Sequence, residues 1–196
     1  MPTPRARVAD GIVDRDGDGR VDQWIYRSNG EISRIELDEN GDGHVDRTIL
    51  YDLGTHQIRR VEEDANGDGA SDSWTDYSAG RVSRRRGDSD YDGIVDTWSF
   101  YRDGQIMRHE QDTTGNGFRD RTGYYDGGKL VREERDSNGD GRWDTLIHYD
   151  AGERVERREE DRDGDGRPDV ISYFEAGRLS RRELLDNDRS PENARP

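Results

Sequence analysis

The first acidic segment of the chain, residues 14–22, reads Asp-Arg-Asp-Gly-Asp-Gly-Arg-Val-Asp. It places carboxylates at positions 1, 3, 5 and 9 and a glycine at position 6. A hard cation such as Ca²⁺ takes about six to eight oxygen ligands, and a glycine lets the backbone bend around the ion. The residue types and their spacing therefore predict a calcium-binding loop.

The same acidic segment recurs along the whole chain. The opening aspartates are Asp14, Asp38, Asp64, Asp88, Asp112, Asp136, Asp161 and Asp186, separated by 24 to 26 residues. A fixed period of this length is typical of a repeat array whose units pack mainly on their neighbours. We therefore expect an N-terminal segment at 1–13 and seven tandem repeats over 14–185. Residues 186–196 lack the glycine and the later acids, so they predict an incomplete eighth repeat or a tail.

Each complete segment offers side-chain oxygens at the same four positions. The candidate metal ligands are Asp14, Asp16, Asp18, Asp22, Asp38, Asn40, Asp42, Asp46, Asp64, Asn66, Asp68, Asp72, Asp88, Asp90, Asp92, Asp96, Asp112, Thr114, Asn116, Asp120, Asp136, Asn138, Asp140, Asp144, Asp161, Asp163, Asp165 and Asp169. About seven Ca²⁺ ions are predicted as cofactors. The fifth segment has only two carboxylates among its four ligands, so we expect the weakest site there.

Position 7 varies freely in residue type, as expected of a residue that supplies only a main-chain carbonyl ligand. These residues are Arg20, His44, Ala70, Ile94, Phe118, Arg142 and Arg167. Asp, Asn and Gly are also good turn formers, and a single copy would be explained equally well as a turn. Seven copies in register, each with Asp at position 9, favour calcium.

Two runs of about six residues lie between successive acidic segments and flank a short turn that contains glycine. In the first repeat they include Trp24-Ile25-Tyr26 and Ile32–Glu36, around Ser28-Asn29-Gly30. This pattern predicts an all-β fold: an antiparallel meander of about seven β-hairpins joined by calcium loops. Because neither strand face is uniformly apolar, we expect an elongated single-layer sheet or a superhelical solenoid. A closed barrel or propeller is the alternative architecture.

Composition makes the predicted fold dependent on metal. Only 28% of residues are hydrophobic and 39% are charged, with a formal net charge of −15. Such a chain has little apolar surface to offset the entropy of folding, and it contains no cysteine for disulfides. Divalent cations would neutralise most of the net charge. Loops without a glutamate at position 12 suit the weak calcium affinities of extracellular modules, so we expect an extracellular, cell-surface or periplasmic protein.

The loops resemble several known calcium loops. Over nine positions they resemble the EF-hand loop, although position 12 is never Glu. They are more similar to the strand-flanked Asp-x-Asp-x-Asp-Gly-x-x-Asp loops of FG-GAP propellers and to thrombospondin type 3 and dockerin loops. The FG-GAP resemblance implies that the aspartate at position 9 supplies the terminal carboxylate ligand. The Trp-x-x-Tyr rhythm, as in Trp98 to Tyr101, resembles the hairpins of MORN repeats.

Outside the loops, an arginine recurs in each second strand, and we expect it to pair with a nearby glutamate or to stack on tyrosine and tryptophan. The acidic net charge argues against nucleic acid as a partner, and no stretch is long and apolar enough to predict a membrane span. No catalytic residues are predicted, so we expect a protein that is not an enzyme. The sequence favours a calcium-stabilised structural or adhesive surface element. The alternatives are a self-assembling filament subunit and a module that binds glycan or protein through Trp24, Trp74 and Trp98.

Overall fold

The computed structural model describes residues 8–185, and every regular element in that part of the chain is a β-strand. The strands are β1 (Gly11–Val13), β2 (Gln23–Ser28), β3 (Glu31–Leu37), β4 (Arg47–Tyr51), β5 (Ile58–Glu63), β6 (Ser73–Ser78), β7 (Arg81–Gly87), β8 (Thr97–Arg102), β9 (Gln105–Gln111), β10 (Arg121–Asp126), β11 (Lys129–Arg135), β12 (Thr145–Tyr149), β13 (Val155–Glu160), β14 (Val170–Glu175) and β15 (Arg178–Leu184). They form one open sheet in sequence order, which confirms an all-β antiparallel meander. The predicted eighth segment, 186–196, lies outside the described residues.

The chain divides into two compact units, Met1–Gly104 and Gln105–Pro196. Unit 1 contains β1 to β8, and unit 2 contains β9 to β15. Within each unit, every strand pairs antiparallel with the strand that precedes it. The sequence pattern did not predict this division, because the spacing of the acidic segments continues across it.

The segment before the first acidic loop adds a strand that was not predicted. Gly11 pairs with Ile25 of β2, and Val13 pairs with Gln23. This strand lies directly before loop aspartate Asp14, just as β3 lies directly before Asp38. The β-branched residues Ile12 and Val13 favour an extended backbone. The number of strands is therefore fifteen, where the hairpin pattern predicts about fourteen.

The hairpin turn between β2 and β3 follows the chemistry expected of a two-residue connection. In the turn between β2 and β3, Asn29 has φ 53° and Gly30 has φ 85°. Positive φ at both central residues is the requirement of a type I′ turn, and Asn and Gly adopt it most readily. A bulge between Tyr26 and Arg27 shifts the register next to this turn. Corresponding bulges follow Leu50 and Asp76 in unit 1.

Side chains alternate between the two faces of the sheet. In unit 1 one face carries the row Ile25, Ile35, Ile49 and Val61, each opposite the next. The other face carries Trp24, Glu36, Thr48, Glu62, Trp74, Arg86 and Trp98 in consecutive opposition. We call this second face the tryptophan face. Trp24, Trp74 and Trp98 therefore lie on one face of the sheet.

Few of the buried residues are apolar. Among the described residues only Leu37, Ile147, Val170 and Ile171 are buried hydrophobics. Eight aspartates of the acidic segments are buried as well: Asp22, Asp38, Asp64, Asp72, Asp88, Asp112, Asp120 and Asp136. Burying a carboxylate is costly unless it is paired or coordinates a metal. These aspartates therefore require hydrogen-bond donors or a cation within the loops.

Unit 2 also buries one carboxylate away from the loops. Glu133, in β11, is 2% exposed. Arg121 donates to its Oε1 at 2.9 Å, Arg135 donates to the same oxygen, and the Tyr149 hydroxyl donates to Oε2 at 3.0 Å. Desolvation alone would raise the pKa of Glu133, but its two arginine partners hold that pKa below its ordinary value. This buried charge is satisfied entirely by the protein.

Candidate metal sites

The acidic segments form seven loops at the ends of the strands: loop 1 (14–22), loop 2 (38–46), loop 3 (64–72), loop 4 (88–96), loop 5 (112–120), loop 6 (136–144) and loop 7 (161–169). The aspartate at position 1 organises each loop by accepting backbone hydrogen bonds. In loop 1, Gly17 donates to Asp14 Oδ1 at 2.6 Å and Gly19 donates to Asp14 Oδ2 at 2.9 Å. The same pair of contacts recurs in loop 6, from Gly139 and Gly141 to Asp136.

The aspartate at position 9 closes each loop, and within a unit it also connects the loop to the next one. In loop 1, Asp22 Oδ2 accepts from the N–H of Arg15 at 2.7 Å. The N–H of Asp22 donates to Val13 O at 3.0 Å, and its carbonyl accepts from the N–H of Asp38 in loop 2 at 2.9 Å. Loops 2 and 3 are joined in the same way, from Asp64 N–H to Asp46 O at 2.9 Å. Consecutive loops within a unit therefore lie side by side along one end of the strands.

Position 7 behaves as a main-chain position in all seven loops. Each of these residues donates its N–H to the side chain at position 5, for example Arg20 to Asp18 Oδ1 at 2.8 Å. Their side chains are exposed, and Phe118 is 73% exposed. The backbone contact does not depend on the side chain, which agrees with the variety of residues at this position. The members are Arg20, His44, Ala70, Ile94, Phe118, Arg142 and Arg167.

Three loops bring three carboxylates close enough to share one cation. In loops 1, 4 and 7, one oxygen from each of three aspartates lies within 4.8 Å of the others. These clusters are Asp14, Asp16 and Asp18; Asp88, Asp90 and Asp96; and Asp161, Asp163 and Asp169. All three loops have aspartate at position 3, and we call them the Asp-type loops.

Loop 4 contains a carboxylate oxygen that lacks a protein partner. Asp96 Oδ2 accepts from Ser89 N–H at 2.8 Å and from the Ser89 hydroxyl at 2.7 Å. Asp96 Oδ1 is buried and has no hydrogen-bond donor among the described residues. A buried anionic oxygen requires either a donor or a cation. One oxygen of Asp96 also lies within 4.8 Å of an oxygen of Asp88 and of Asp90. The donors of loop 4 therefore fit a hard cation with oxygen ligands.

Loops 2, 3 and 6, which we call the Asn-type loops, have asparagine at position 3 and satisfy their carboxylates differently. In loop 2, Asn40 Oδ1 accepts from Asp42 N–H at 2.8 Å, and Asn40 Nδ2 donates to Asp46 Oδ1 at 2.9 Å. In loop 3, Asn66 Nδ2 donates to Asp68 Oδ2 at 3.0 Å. The amide nitrogen thus occupies the place of an acceptor and supplies a hydrogen bond to a neighbouring carboxylate.

In loop 5 the aspartates at positions 1 and 9 are hydrogen-bonded through both oxygens by their own chain. Asp112 Oδ1 accepts from Gly115 N–H at 2.8 Å, and Oδ2 accepts from Gly117 N–H at 2.6 Å. Both oxygens of Asp120 accept from Thr113, at 2.8 Å each. Desolvation would raise the pKa of Asp112, but its backbone donors, Gly117 foremost, hold it below the ordinary value. Each oxygen of this pair therefore accepts at least one hydrogen bond from the loop itself.

Two aspartates at position 3 have raised pKa values. Desolvation raises the pKa of Asp90, and repulsion from the Asp92 carboxylate adds to it. For Asp163, a hydrogen bond from Asp165 N–H lowers the pKa, but desolvation and the surrounding carboxylates outweigh it. Both residues belong to Asp-type loops, where like charges are crowded. A divalent cation would relieve this repulsion.

The predicted pairing of the arginine column is confirmed on the tryptophan face and on its counterpart in unit 2. Arg34 pairs with Glu36 at 3.3 Å, and Arg132 pairs with Glu134 at 3.0 Å. Arg34 also lies 3.9 Å above the centre of the Tyr26 ring. Most of these arginines therefore act within the sheet, through ion pairs and cation–π contacts.

Comparisons with known proteins leave the chain without an assigned family. No protein-family model matches it, and no curated protein matches it. Among solved structures it is similar to a chain in the crystal structure of accessory secretory protein 1, 2 and 3 from Streptococcus pneumoniae, with 14% identity and a TM-score of 0.25. The match covers 73% of this chain and 22% of that one, so the chain spans about a fifth of the neighbour's length. Among the described residues, no helix has the length and apolar character needed to cross a membrane.

Proposed function

We propose that this chain is a calcium-binding repeat protein in which bound Ca²⁺ stabilises the loops between β-hairpins. The observation that carries the proposal is the buried Asp96 Oδ1, which has no hydrogen-bond donor among residues 8–185, in a residue whose carboxylate clusters with those of Asp88 and Asp90. Calcium is the cation that suits a flexible loop of several carboxylates, whereas Mg²⁺ requires a small octahedral shell and keeps its water. When bound, the ion would supply positive charge where the loop concentrates negative charge.

Several positions of each loop would ligate the ion together. Aspartates at positions 1 and 9 are already oriented by backbone N–H groups, as Asp88 is by Gly93 at 2.7 Å. The side chains at positions 3 and 5 supply the remaining carboxylates, Asp90 and Asp92 in loop 4. The main-chain carbonyl at position 7 completes the proposed ligand set. About seven ions would bind in total, with the Asp-type loops binding most tightly.

The proposed role is structural or adhesive, at an extracellular, cell-surface or periplasmic location. Position 12 of the loops lacks the bidentate glutamate of tight calcium sensors, so each site would bind in the roughly 10⁻⁴–10⁻³ M range of extracellular modules. Position 9 of one loop is hydrogen-bonded to position 1 of the next, so ordering one loop would help to position its neighbour. In this proposal calcium converts a self-repelling acidic chain into an ordered array, and the protein is not an enzyme.

Calcium titration by calorimetry, with circular dichroism in parallel, tests this function. We expect saturable heat with Ca²⁺, little with Mg²⁺, and loss of β-type circular dichroism in a chelator. Asp96→Asn should remove one tight site. The matched control is Asp103→Asn, which changes the charge equally in an exposed turn whose φ of 52° asparagine tolerates. Absence of binding heat, together with an unchanged spectrum in chelator, would refute the proposal.

A further inference from the structure

The tryptophan face of unit 1 contains one break in the pairing of its arginines. In six second strands the residue two positions after the column arginine is a glutamate: Glu36, Glu62, Glu110, Glu134, Glu159 and Glu183. In β7 that residue is Arg86, which follows Arg84. A cation therefore stands at the register position where the other strands carry an anion.

Arg86 lies between two tryptophans. It is opposite Trp74 of β6 on one side and opposite Trp98 of β8 on the other. Its Cζ lies 5.3 Å from the centre of the Trp74 ring. All three side chains are partly exposed. The guanidinium is thus held against an indole, with the second indole across the neighbouring strand.

Asp76 is a carboxylate on the same face as Arg86, but two other arginines already bond to it. Asp76 accepts from Arg60 Nε at 2.6 Å, and from Arg84 Nε and Nη2 at 3.0 and 2.8 Å. Within residues 8–185, Arg86 makes no ion pair closer than 4 Å, and its Nε is buried without an acceptor. Arg132 and Arg157 also bury an unbonded Nε, but each of them pairs with a glutamate through a terminal nitrogen. Arg86 therefore has a hydrogen-bonding capacity that the fold does not use.

We propose that Trp74, Arg86 and Trp98 form a binding site for an acidic glycan, with the carboxylate of a uronate residue on Arg86 and sugar rings against the indoles. A guanidinium presents a planar pair of donors that matches a carboxylate. The tryptophans are two strands apart, about 9–10 Å, a separation that two rings of an oligosaccharide with one ring between them can span. Aromatic side chains supply rigid amphipathic contact area, and one charged group fixes orientation and specificity.

Tryptophan fluorescence and calorimetry with tetragalacturonate test this site on the full chain, in a calcium buffer in which circular dichroism shows it folded. The fully methyl-esterified tetrasaccharide is the neutral control ligand. We expect saturable binding of the acid form and at least tenfold weaker binding of the ester. Equal binding of the two ligands would overturn the proposal, as would equal competition by inorganic phosphate, which would indicate a simple anion site.

The decisive variant is Arg86→Glu, because it restores the arginine-glutamate pattern of the other strands and should leave the sheet folded. We expect it to weaken binding of tetragalacturonate by more than tenfold. Arg85→Glu changes the charge equally at an exposed residue on the opposite face and should leave binding unchanged. Unchanged binding in Arg86→Glu would contradict the site and would indicate attachment through loop-bound calcium. Trp98→Phe should give an intermediate loss. These outcomes do not depend on how many ions bind, so this site can fail while the calcium function stands.

Discussion

The Asp-type loops 1, 4 and 7 and the Asn-type loops 2, 3 and 6 have the same backbone but differ in how they satisfy negative charge. Gly17 and Gly19 of loop 1 have φ of 82° and 90°, and Gly41 and Gly43 of loop 2 have φ of 75° and 95°. In loop 1 three aspartates converge. In loop 2 the amide of Asn40 donates to Asp46 instead.

The residues that determine the backbone of a loop are therefore different from the residue that we propose sets its affinity for metal. The backbone conformation depends on the glycines and on the aspartates at positions 1 and 9, which both types share. In the proposed function, affinity for a cation depends on position 3, because aspartate offers two anionic oxygens there while asparagine offers one neutral oxygen and a nitrogen that can only donate. Repeats with nearly identical sequence can therefore differ in affinity for the same ion.

Removal of calcium should have the largest effect on the molecule. A ligand at 100 times its dissociation constant stabilises the folded state by about 2.7 kcal/mol per site, so three tight sites contribute about 8 kcal/mol. That is comparable to the whole stability of an ordinary domain. We expect chelation to abolish the cooperative thermal unfolding transition, measured by circular dichroism, and calcium to restore it. A transition temperature that is independent of calcium would contradict the proposed difference in calcium affinity between the two loop types.

Glu133 should stabilise the fold independently of calcium, in contrast to the loop aspartates, because arginines rather than a cation satisfy its charge. Glu133→Gln should destabilise unit 2 by about 1–3 kcal/mol, with and without calcium, since it removes charged hydrogen bonds from a buried group. The folded pKa of Glu133 lies below its ordinary value of 4.5. Its stabilisation is therefore fully present above the unfolded pKa and is lost as pH falls through the folded pKa.

Chemical denaturation of the wild type and of Glu133→Gln, at pH 7 and on acidification, measures this contribution. The difference between the two proteins should shrink as pH falls below the unfolded pKa. Glu156→Gln, at an exposed position of β13, is the control and should have little effect. A Glu133 effect that appears only in the presence of calcium would contradict the contrast with the loops.

Exchange of the residue at position 3 should convert one loop type into the other. Asp90→Asn should weaken the site in loop 4, and Asn66→Asp should strengthen the site in loop 3. We expect changes of about tenfold in calcium affinity, or about 1.4 kcal/mol, for one site in each case. Calorimetry should count one tight site fewer in the first variant and one more in the second. If both variants titrate as the wild type does, the orientation of the asparagine amide has no bearing on affinity.

Loop 5 should give the smallest response to calcium, because only Asp112 and Asp120 among its four side-chain ligands are carboxylates. We expect the amide resonance of Gly117, which donates to Asp112 Oδ2, to shift only at the highest calcium concentrations. The corresponding amide of Gly93 in loop 4 should shift first. Simultaneous shifts of the two amides in a nuclear magnetic resonance titration would show that the number of carboxylates in the loop does not limit binding.

Most of the fold was predictable from the sequence because its causes are local. The period of 24 to 26 residues located the acidic loops, and alternation with glycine-containing turns located the strands of the meander. The first strand was missed because Gly11–Val13 is too short to show alternation by itself. Its assignment requires the partner strand, which supplies Ile25 opposite Gly11.

The amino-acid sequence by itself determined the residue types at each loop position, the turn chemistry and the excess of carboxylates. Only the tertiary structure decided which of those carboxylates are satisfied. Asp96 Oδ1 is left without a donor, while the equivalent Asp46 Oδ1 receives the amide of Asn40. Likewise Arg86 is unpaired because Arg60 and Arg84, from different strands, both engage Asp76. The physical reason is that conformation follows from neighbours along the chain, whereas the balance of charge and hydrogen bonds depends on atoms that strand pairing brings together.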